Sequence, residues 1–202
     1  MLTQLLQGWA RSMARRTAQI FVKTPITPNM LTIFGLLLNV VVAVLLATDH
    51  LVAGGIMIIV AGLFDMLDGA LAKITNRMST FGAFLDSVVD RYSESLVLLG
   101  LLLHFYYQGG TQNIVEIVLI YVILVGSMMI SYTRARAGAL HIHNEVGILA
   151  RPERLVLLAI GLIFQTVLLF WVLVFLAVGT QFTAVQRVLY VWQVTTGRRE
   201  NK

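Results

Sequence analysis

The sequence predicts an all-α, polytopic membrane protein, with six transmembrane helices preceded by an N-terminal amphipathic helix lying in the membrane interface. Three observations carry that reading. Of 202 residues, 58% are hydrophobic and only 12% charged, with a mean hydropathy of +0.83, whereas a soluble domain carries roughly 25% charged residues. Apolar runs of helix-spanning length recur along the chain, separated by short polar turns. The basic residues avoid every second turn, as expected of a chain that crosses a membrane repeatedly.

Residues 1–28 form a juxtamembrane segment. Leu2, Leu5, Leu6, Trp9, Met13, Ile20 and Phe21 are interleaved with Arg11, Arg15, Arg16 and Lys23. Much of this is helical spacing with a basic face, suited to an anionic membrane surface. No apolar core follows an initial basic cluster, so the segment does not read as a signal peptide. Pro25 and Pro28 end it, and Thr27 or Asn29 is placed to cap the next helix.

The six-helix body is expected over 29–196. Its first span runs from about Met30 to Thr48 and turns at Asp49–His50. A second span, about Leu51–Asp68, leads into a connecting loop, Gly69–Ser79. The third span is about Thr80–Tyr107, followed by the turn Gln108–Asn113. A fourth, about Ile114–Tyr132, continues as helix past Arg136 into a polar stretch, Gly138–Arg151. Pro152 suits the first turn of a fifth span ending near Phe164, which is short for a bilayer. After Gln165–Thr166 a sixth span, about Val167–Trp192, leads to a basic tail, 197–202.

With the N-terminus cytoplasmic, the turns at 49–50, 108–113 and 165–166 lie outside, and none holds a Lys or Arg. The basic residues then fall on the cytoplasmic side, which predicts that both termini are cytoplasmic in a cell membrane. The same scatter of cations along apolar spans disfavours a nucleic-acid binder, which gathers them into one patch. The chain has no cysteine, so disulfide and thiolate chemistry are excluded.

The chemistry concentrates in FDMLDGALAKITNRMSTFGAFLDSVVDR, residues 64–91. Asp65 and Asp68 are three apart, and Asp86 and Asp90 four apart, so on helices each pair shares a face. Carboxylates in or beside membrane spans are costly and by default functional. A short linker lets the two helices pack so that all four carboxylates converge. A divalent cation relieves their repulsion, and an all-oxygen ligand set favours Mg²⁺ or Mn²⁺. Asp65, Asp68 and Asp86 are the leading ligands. Asp90, a turn further on, suits both metal binding and general-base action. A second constellation is basic: Arg134 and Arg136 in SYTRARAGA, and Arg151 and Arg154 in ILARPERL. Each arginine singly suits anchoring at the cytoplasmic surface. Together, flanking one polar stretch, they suit an anion such as phosphate, with Ser131 adding a hydroxyl.

The aspartate stretch resembles the CDP-alcohol phosphotransferase family, whose pattern is D-x-x-D-G-x-x-A-R, a short gap, then G-x-x-x-D-x-x-x-D. Asp65, Asp68, Gly69, Ala72, Gly82, Asp86 and Asp90 match, and Lys73 stands where Arg is usual. Lysine keeps the charge but loses the bidentate fork. The resemblance implies a transferase that joins a CDP-linked donor, often CDP-diacylglycerol, to an alcohol and releases CMP. It implies two divalent ions on the donor pyrophosphate, Asp90 as the base, and Gly69 and Gly82 beside the CMP moiety. Asn29 and Thr32 resemble the family's nucleotide-side residues. The donor set is thus Asn29, Thr32, Asp68, Gly69, Ala72, Lys73 and Gly82. Homodimers are usual in the family.

The arginine block, with Arg91 directly after the last aspartate, is similar to one branch, the phosphatidylinositol phosphate synthases of bacteria and their archaeal relatives. That implies inositol 1-phosphate as acceptor, held by Ser131, Arg134, Arg136, Arg151 and Arg154. Glycerol 3-phosphate, which would make the enzyme a phosphatidylglycerol phosphate synthase, is the rival acceptor. A cation-coupled carrier is the non-enzyme alternative, although no inverted repeat or outer gate is visible for it.

Overall fold

The computed structural model describes residues 25–144 and 146–200, with Thr17 and Val22. The interfacial helix expected over 1–28 falls almost wholly outside the described residues. Their regular structure is all helical, in the order α1 (Pro28–Ala47), α2 (Leu51–Ile74), α3 (Thr80–Gly109), a 3₁₀ turn (Gly110–Asn113), α4 (Ile114–Ala139), α5 (Arg151–Phe164) and α6 (Thr166–Glu200). Four stretches are long and apolar enough to cross a membrane: Pro28–Ala47, Leu51–Ile74, Thr80–Ala139 and Leu168–Gly197. The third is 60 residues long and contains both α3 and α4, broken at the 3₁₀ turn. At 14 residues, α5 is shorter than the roughly 20 of a usual crossing.

Local chemistry sets the helix ends. Thr27 caps α1, its hydroxyl accepting from the Met30 N–H at 3.3 Å, with Pro28 in the first turn. Ser79 caps α3 in the same way, accepting from the Gly82 N–H at 2.9 Å. Three helices stop alike. Asp49, Asn76 and His141 have φ of 68°, 52° and 56°. The next N–H in each case reaches back to a helix carbonyl: His50 to Leu45, Arg77 to Ala72 and Ile142 to Ala137. This is the Schellman closure with a polar residue in place of glycine.

One boundary differs from expectation. The aspartate-bearing helix does not end at Asp68; α2 continues through Gly69–Ile74, leaving only Thr75–Ser79 as the loop. Gly69 led the sequence reading to a stop, but Ala70, Leu71, Ala72 and Lys73 favour helix. Burial decides the matter: Leu71 is fully buried and packs with Leu67 and Leu31. The C-terminus also differs, because α6 continues as helix through Gly197 to Glu200.

The chain divides into two compact units, with the boundary between Gly100 and Leu101. In the first, α1 and α2 form a tightly packed pair around Leu31, Leu67 and Leu71. In the second, α6 is the shared partner of α4 and α5. There Gly126 lets α4 approach so closely that a Cβ would collide with Thr180 Oγ1, and Gln181 Nε2 donates to Val122 O at 2.9 Å. Large apolar residues such as Leu37, Val44, Ile56, Val118, Phe175 and Val178 are exposed. Surface of that kind is stable against lipid rather than water. The protein is a membrane protein.

Candidate active site

The first unit holds a cleft of about 190 Å³ at the cytoplasm-predicted ends of α1 and α2 and the start of α3. Its walls include Asn29, Thr32, Asp68, Gly69, Ala72, Lys73 and Gly82, together with Asp86. Every residue expected to hold the CDP donor therefore lines one cavity. Helix periodicity puts Asp68 and Ala72, four apart on α2, on one face, with Lys73 beside them. Asn29 and Thr32 sit three apart in the first turns of α1, just after the Thr27 cap.

Asp68 is only 6% exposed. Its Oδ2 accepts from Thr32 Oγ1 at 2.6 Å and its Oδ1 from the Gly69 N–H at 2.5 Å. The short hydroxyl contact is typical of a charge-assisted bond. Asp65 and Asp86 both lie within electrostatic reach of Asp68. Asp65 extends over Gly35 of α1, where a Cβ would stand 3.2 Å from its Oδ1. Asp90 is half-buried, with Arg91 Nη1 3.9 Å from its Oδ2, and Arg91 also donates to the Ser87 carbonyl. Asp65 and Asp90 do not line the cleft. Among the described residues, no three Asp, Glu or His side chains stand in a metal-ligating arrangement. Asp68, with Asp65 and Asp86 each in its reach and all presenting hard oxygens, nonetheless offers a donor set of the type that Mg²⁺ or Mn²⁺ takes.

Gly69 leaves open space where a Cβ would project, and at Gly82 a Cβ would crowd Ser79 Oγ at 3.0 Å and Asn29 Oδ1 at 3.2 Å. Glycine at these positions keeps the cleft floor low enough for a ligand to approach the backbone. Sequence reasoning missed two polar wall residues, Arg77 and Ser79. Both lie between the aspartate pairs. An Arg following Lys73 by four positions was the available signal for a cationic rim, obscured because the segment read as loop.

The basic constellation lies in the second unit. Ser131, Arg134 and Arg136 occupy the last turns of α4, and Arg151 and Arg154 the first turn of α5. Arg134 and Arg136 are exposed, and Ser131 and Arg151 half-buried. Arg154 differs: it is 3% exposed and donates from Nη1 to Leu149 O at 3.1 Å. Glu153 of the same R-P-E-R run is a helix cap, its Oε2 accepting from the Ala150 N–H at 2.6 Å.

A family model described as CDP-alcohol phosphatidyltransferase matches residues 25–197. A phosphatidylinositol phosphate synthase of Mycobacteroides abscessus is 37% identical over 149 residues, 73% of this chain and 67% of the relative. An archaetidylinositol phosphate synthase of Pyrococcus horikoshii is 37% identical over 168 residues, 81% of this chain and 82% of the relative. Among solved structures, the phosphatidylinositol phosphate synthase of Mycobacterium tuberculosis with CDP-DAG bound superposes with a TM-score of 0.81. It is 33% identical, and the match covers 90% of this chain and 94% of that one. The same mycobacterial protein in complex with manganese and citrate gives a TM-score of 0.80 at 33% identity, covering 89% and 88%.

Proposed function

The chain belongs to the CDP-alcohol phosphatidyltransferase family, and from that premise we propose that it transfers a phosphatidyl group from CDP-diacylglycerol to inositol 1-phosphate, releasing CMP. Family membership makes it an enzyme and sets the carrier alternative aside. The observation that carries the donor half is the single cleft lined by Asn29, Thr32, Asp68, Gly69, Ala72, Lys73 and Gly82. The acceptor half is supported by relatives named for phosphatidylinositol phosphate and archaetidylinositol phosphate synthesis.

In this reading the acceptor hydroxyl attacks the phosphorus that bears the diacylglycerol. A new P–O bond forms, the bond to the bridging oxygen breaks, and CMP leaves with that oxygen. Asp90 takes the hydroxyl proton. The cleft residues hold the CMP moiety, with Lys73 and Arg77 placing positive charge at the rim. Asp65, Asp68, Asp86 and Asp90 would hold two divalent cations, Mg²⁺ or Mn²⁺, and a relative's manganese complex supports that choice. Bound there, the metal supplies neutralisation of the pyrophosphate charge. Ser131, Arg134, Arg136, Arg151 and Arg154 hold the acceptor phosphate.

We take the chain to cross the membrane six times, α1 to α6 each once, with both termini and the aspartates on the cytoplasmic side of the cell membrane. The basic-residue distribution supports this, and the resemblance implies a homodimer. The test is CMP release by purified protein given CDP-diacylglycerol and, separately, inositol 1-phosphate, glycerol 3-phosphate, free inositol and serine. Release with inositol 1-phosphate is expected. Release with glycerol 3-phosphate alone would make the protein a phosphatidylglycerol phosphate synthase, and release with none would end the reading.

A further inference from the structure

One cation of the cleft wall lies outside the family pattern. Arg77 follows Lys73 by four positions and stands, like it, against the cavity. Two closures set its place. Helix α2 ends at Ile74, and the left-handed Asn76, with φ 52°, turns the chain back so that the Arg77 N–H bonds to Ala72 O at 3.0 Å. Had the helix continued, residue 77 would stand about 6 Å beyond Lys73 along its axis. The turn instead brings its backbone against the last turn of α2. On the other side Ser79 caps α3, accepting from the Gly82 N–H at 2.9 Å, and only Met78 lies between. The backbone of Arg77 is thereby fixed, while its side chain is exposed.

Charge is the second observation. Asp68 and Asp86 line the same cavity as Lys73 and Arg77. Among the described residues, however, neither of these cations makes a side-chain hydrogen bond or an ion pair. Asp68 takes its hydrogen bonds from Thr32 and Gly69 instead. The wall thus presents carboxylates and cations that do not neutralise each other. A pyrophosphate with its metal ions meets both, its oxygens facing the cations and its metals the carboxylates.

The two cations are not equivalent. Lysine offers a compact point charge, whereas arginine offers paired N–H donors in one plane, matched to two oxygens of a phosphate. Lys73 stands where that fork is usual, and Arg77 brings one to the same cavity from the loop. The composition of the cleft says which phosphate it meets. The residues assigned to the CMP moiety line the cavity, whereas Asp90, the proposed base at the attacked phosphorus, does not.

We infer that Arg77 grips the nucleotide-side phosphate of the donor, the one that leaves as CMP, and supplies there the guanidinium fork that Lys73 lacks. The inference rests on the donor reading under Proposed function. When the bond from the lipid-bearing phosphorus to the bridging oxygen breaks, its electron pair stays on that oxygen. The nucleotide phosphate then passes from one negative charge to two, while the acceptor proton goes to Asp90. A fork on that phosphate holds the leaving group more strongly than the donor, so Arg77 acts on kcat as well as on binding.

The test uses the full chain in lipid nanodiscs with Mg²⁺ present, and reads the Kd for CMP beside turnover. Arg77→Ala should weaken CMP binding about 10-fold, lower kcat, and leave KM for inositol 1-phosphate within about 2-fold. Arg77→Lys keeps the charge without the fork and should stay at least about 3-fold weaker than the unsubstituted protein. Lys73→Arg in the Arg77→Ala chain returns a fork to the cavity and should bring CMP affinity back to within about 2-fold, whereas Lys73→Arg alone should gain less than about 3-fold. Arg77 is exposed and its N–H bond to Ala72 survives in each variant, so the thermal midpoint should hold.

CMP affinity in Arg77→Ala within about 2-fold of the unsubstituted protein overturns the inference. Full recovery in Arg77→Lys overturns the fork and leaves a point charge at the rim. A gain from Lys73→Arg that is equal in both backgrounds, or absent from both, shows that the two side chains do not share a phosphate, and overturns it as well. Failure of the donor reading looks different: unsubstituted protein would bind neither CMP nor CDP-diacylglycerol. That result removes the phosphate to be gripped, and the inference with it.

Discussion

Thr32 on α1 and Asp68 on α2 are joined by a 2.6 Å hydrogen bond, hydroxyl to carboxylate, across 36 residues of chain. Both are buried, and both line the cleft. The bond fixes which way a cleft carboxylate faces. Thr32→Val keeps the shape and removes the donor, leaving Asp68 with the Gly69 N–H. A hydrogen bond to a charged group contributes about 1.5–3 kcal/mol. The expected outcome is a thermal midpoint lower by several degrees and a weakened KM for CDP-diacylglycerol, both restored by Thr32→Ser. An unaltered KM in a folded Thr32→Val protein would separate the bond from donor binding.

The aspartates are predicted to differ from Thr32 in kind. Asp65→Asn and Asp86→Asn each replace a hard anionic ligand with a neutral amide that coordinates Mg²⁺ poorly. Turnover and its dependence on added metal should both vanish, while the protein remains folded by circular dichroism. Near-normal activity in either variant would remove that residue from the metal set.

How far these sites could be read from sequence depended on whether the signal was local. The spacing of Asp65, Asp68, Asp86 and Asp90 and the family resemblance led to seven residues expected at the donor, and all seven line one cleft. Helix ends with caps or prolines were also legible, as at Thr27 and Pro28. What was not legible depended on long-range burial. Gly69 read as a stop because its local propensity is poor, whereas packing of Leu71 against Leu31 carried α2 to Ile74. The seating of Asn144, Val146 and Leu149 on α6 rests on Arg187 and Thr183, some forty and thirty-four positions away. No spacing rule exposes that.

The polar left-handed helix stop at Asn76 gives a prediction about stability. Its φ of 52° is a conformation that costs a side-chain-bearing residue roughly 1–2 kcal/mol, less for Asn. Asn76→Gly should be neutral or slightly stabilising, and Asn76→Val should lower the thermal midpoint and loosen the Thr75–Ser79 loop beside the cleft. Equal midpoints for the two variants would show that the closure does not depend on φ.

Crossing number is testable in the cysteine-free chain. Single cysteines at Gln112, in the 3₁₀ turn, and at Gly138, near the end of α4, should be labelled by an impermeant maleimide from opposite membrane faces. Helix α4 has 26 residues, about 39 Å at 1.5 Å per residue, which exceeds the roughly 30 Å hydrocarbon core. Labelling from one face would place α3 and α4 otherwise and dismantle the six-crossing arrangement.

The last prediction separates acceptor from donor. Arg136 is exposed at the end of α4, and Lys73 lines the cleft on α2. A charge-assisted contact contributes about 1.5–3 kcal/mol, which is about 10- to 150-fold in affinity. Arg136→Ala should raise KM for inositol 1-phosphate by a factor in that range and leave KM for CDP-diacylglycerol nearly unmoved. Lys73→Ala should do the reverse, and Lys73→Arg, which restores the family's usual residue, should bind the donor at least as well. Arg154→Ala should combine the acceptor defect with a lower thermal midpoint, because it also frees the Leu149 carbonyl. Since KM equals a dissociation constant only when chemistry is slow, single-turnover rates at saturating substrate are measured alongside. Loss of donor affinity in Arg136→Ala with acceptor affinity intact would defeat the phosphate-site assignment and remove the residue-level support for inositol phosphate.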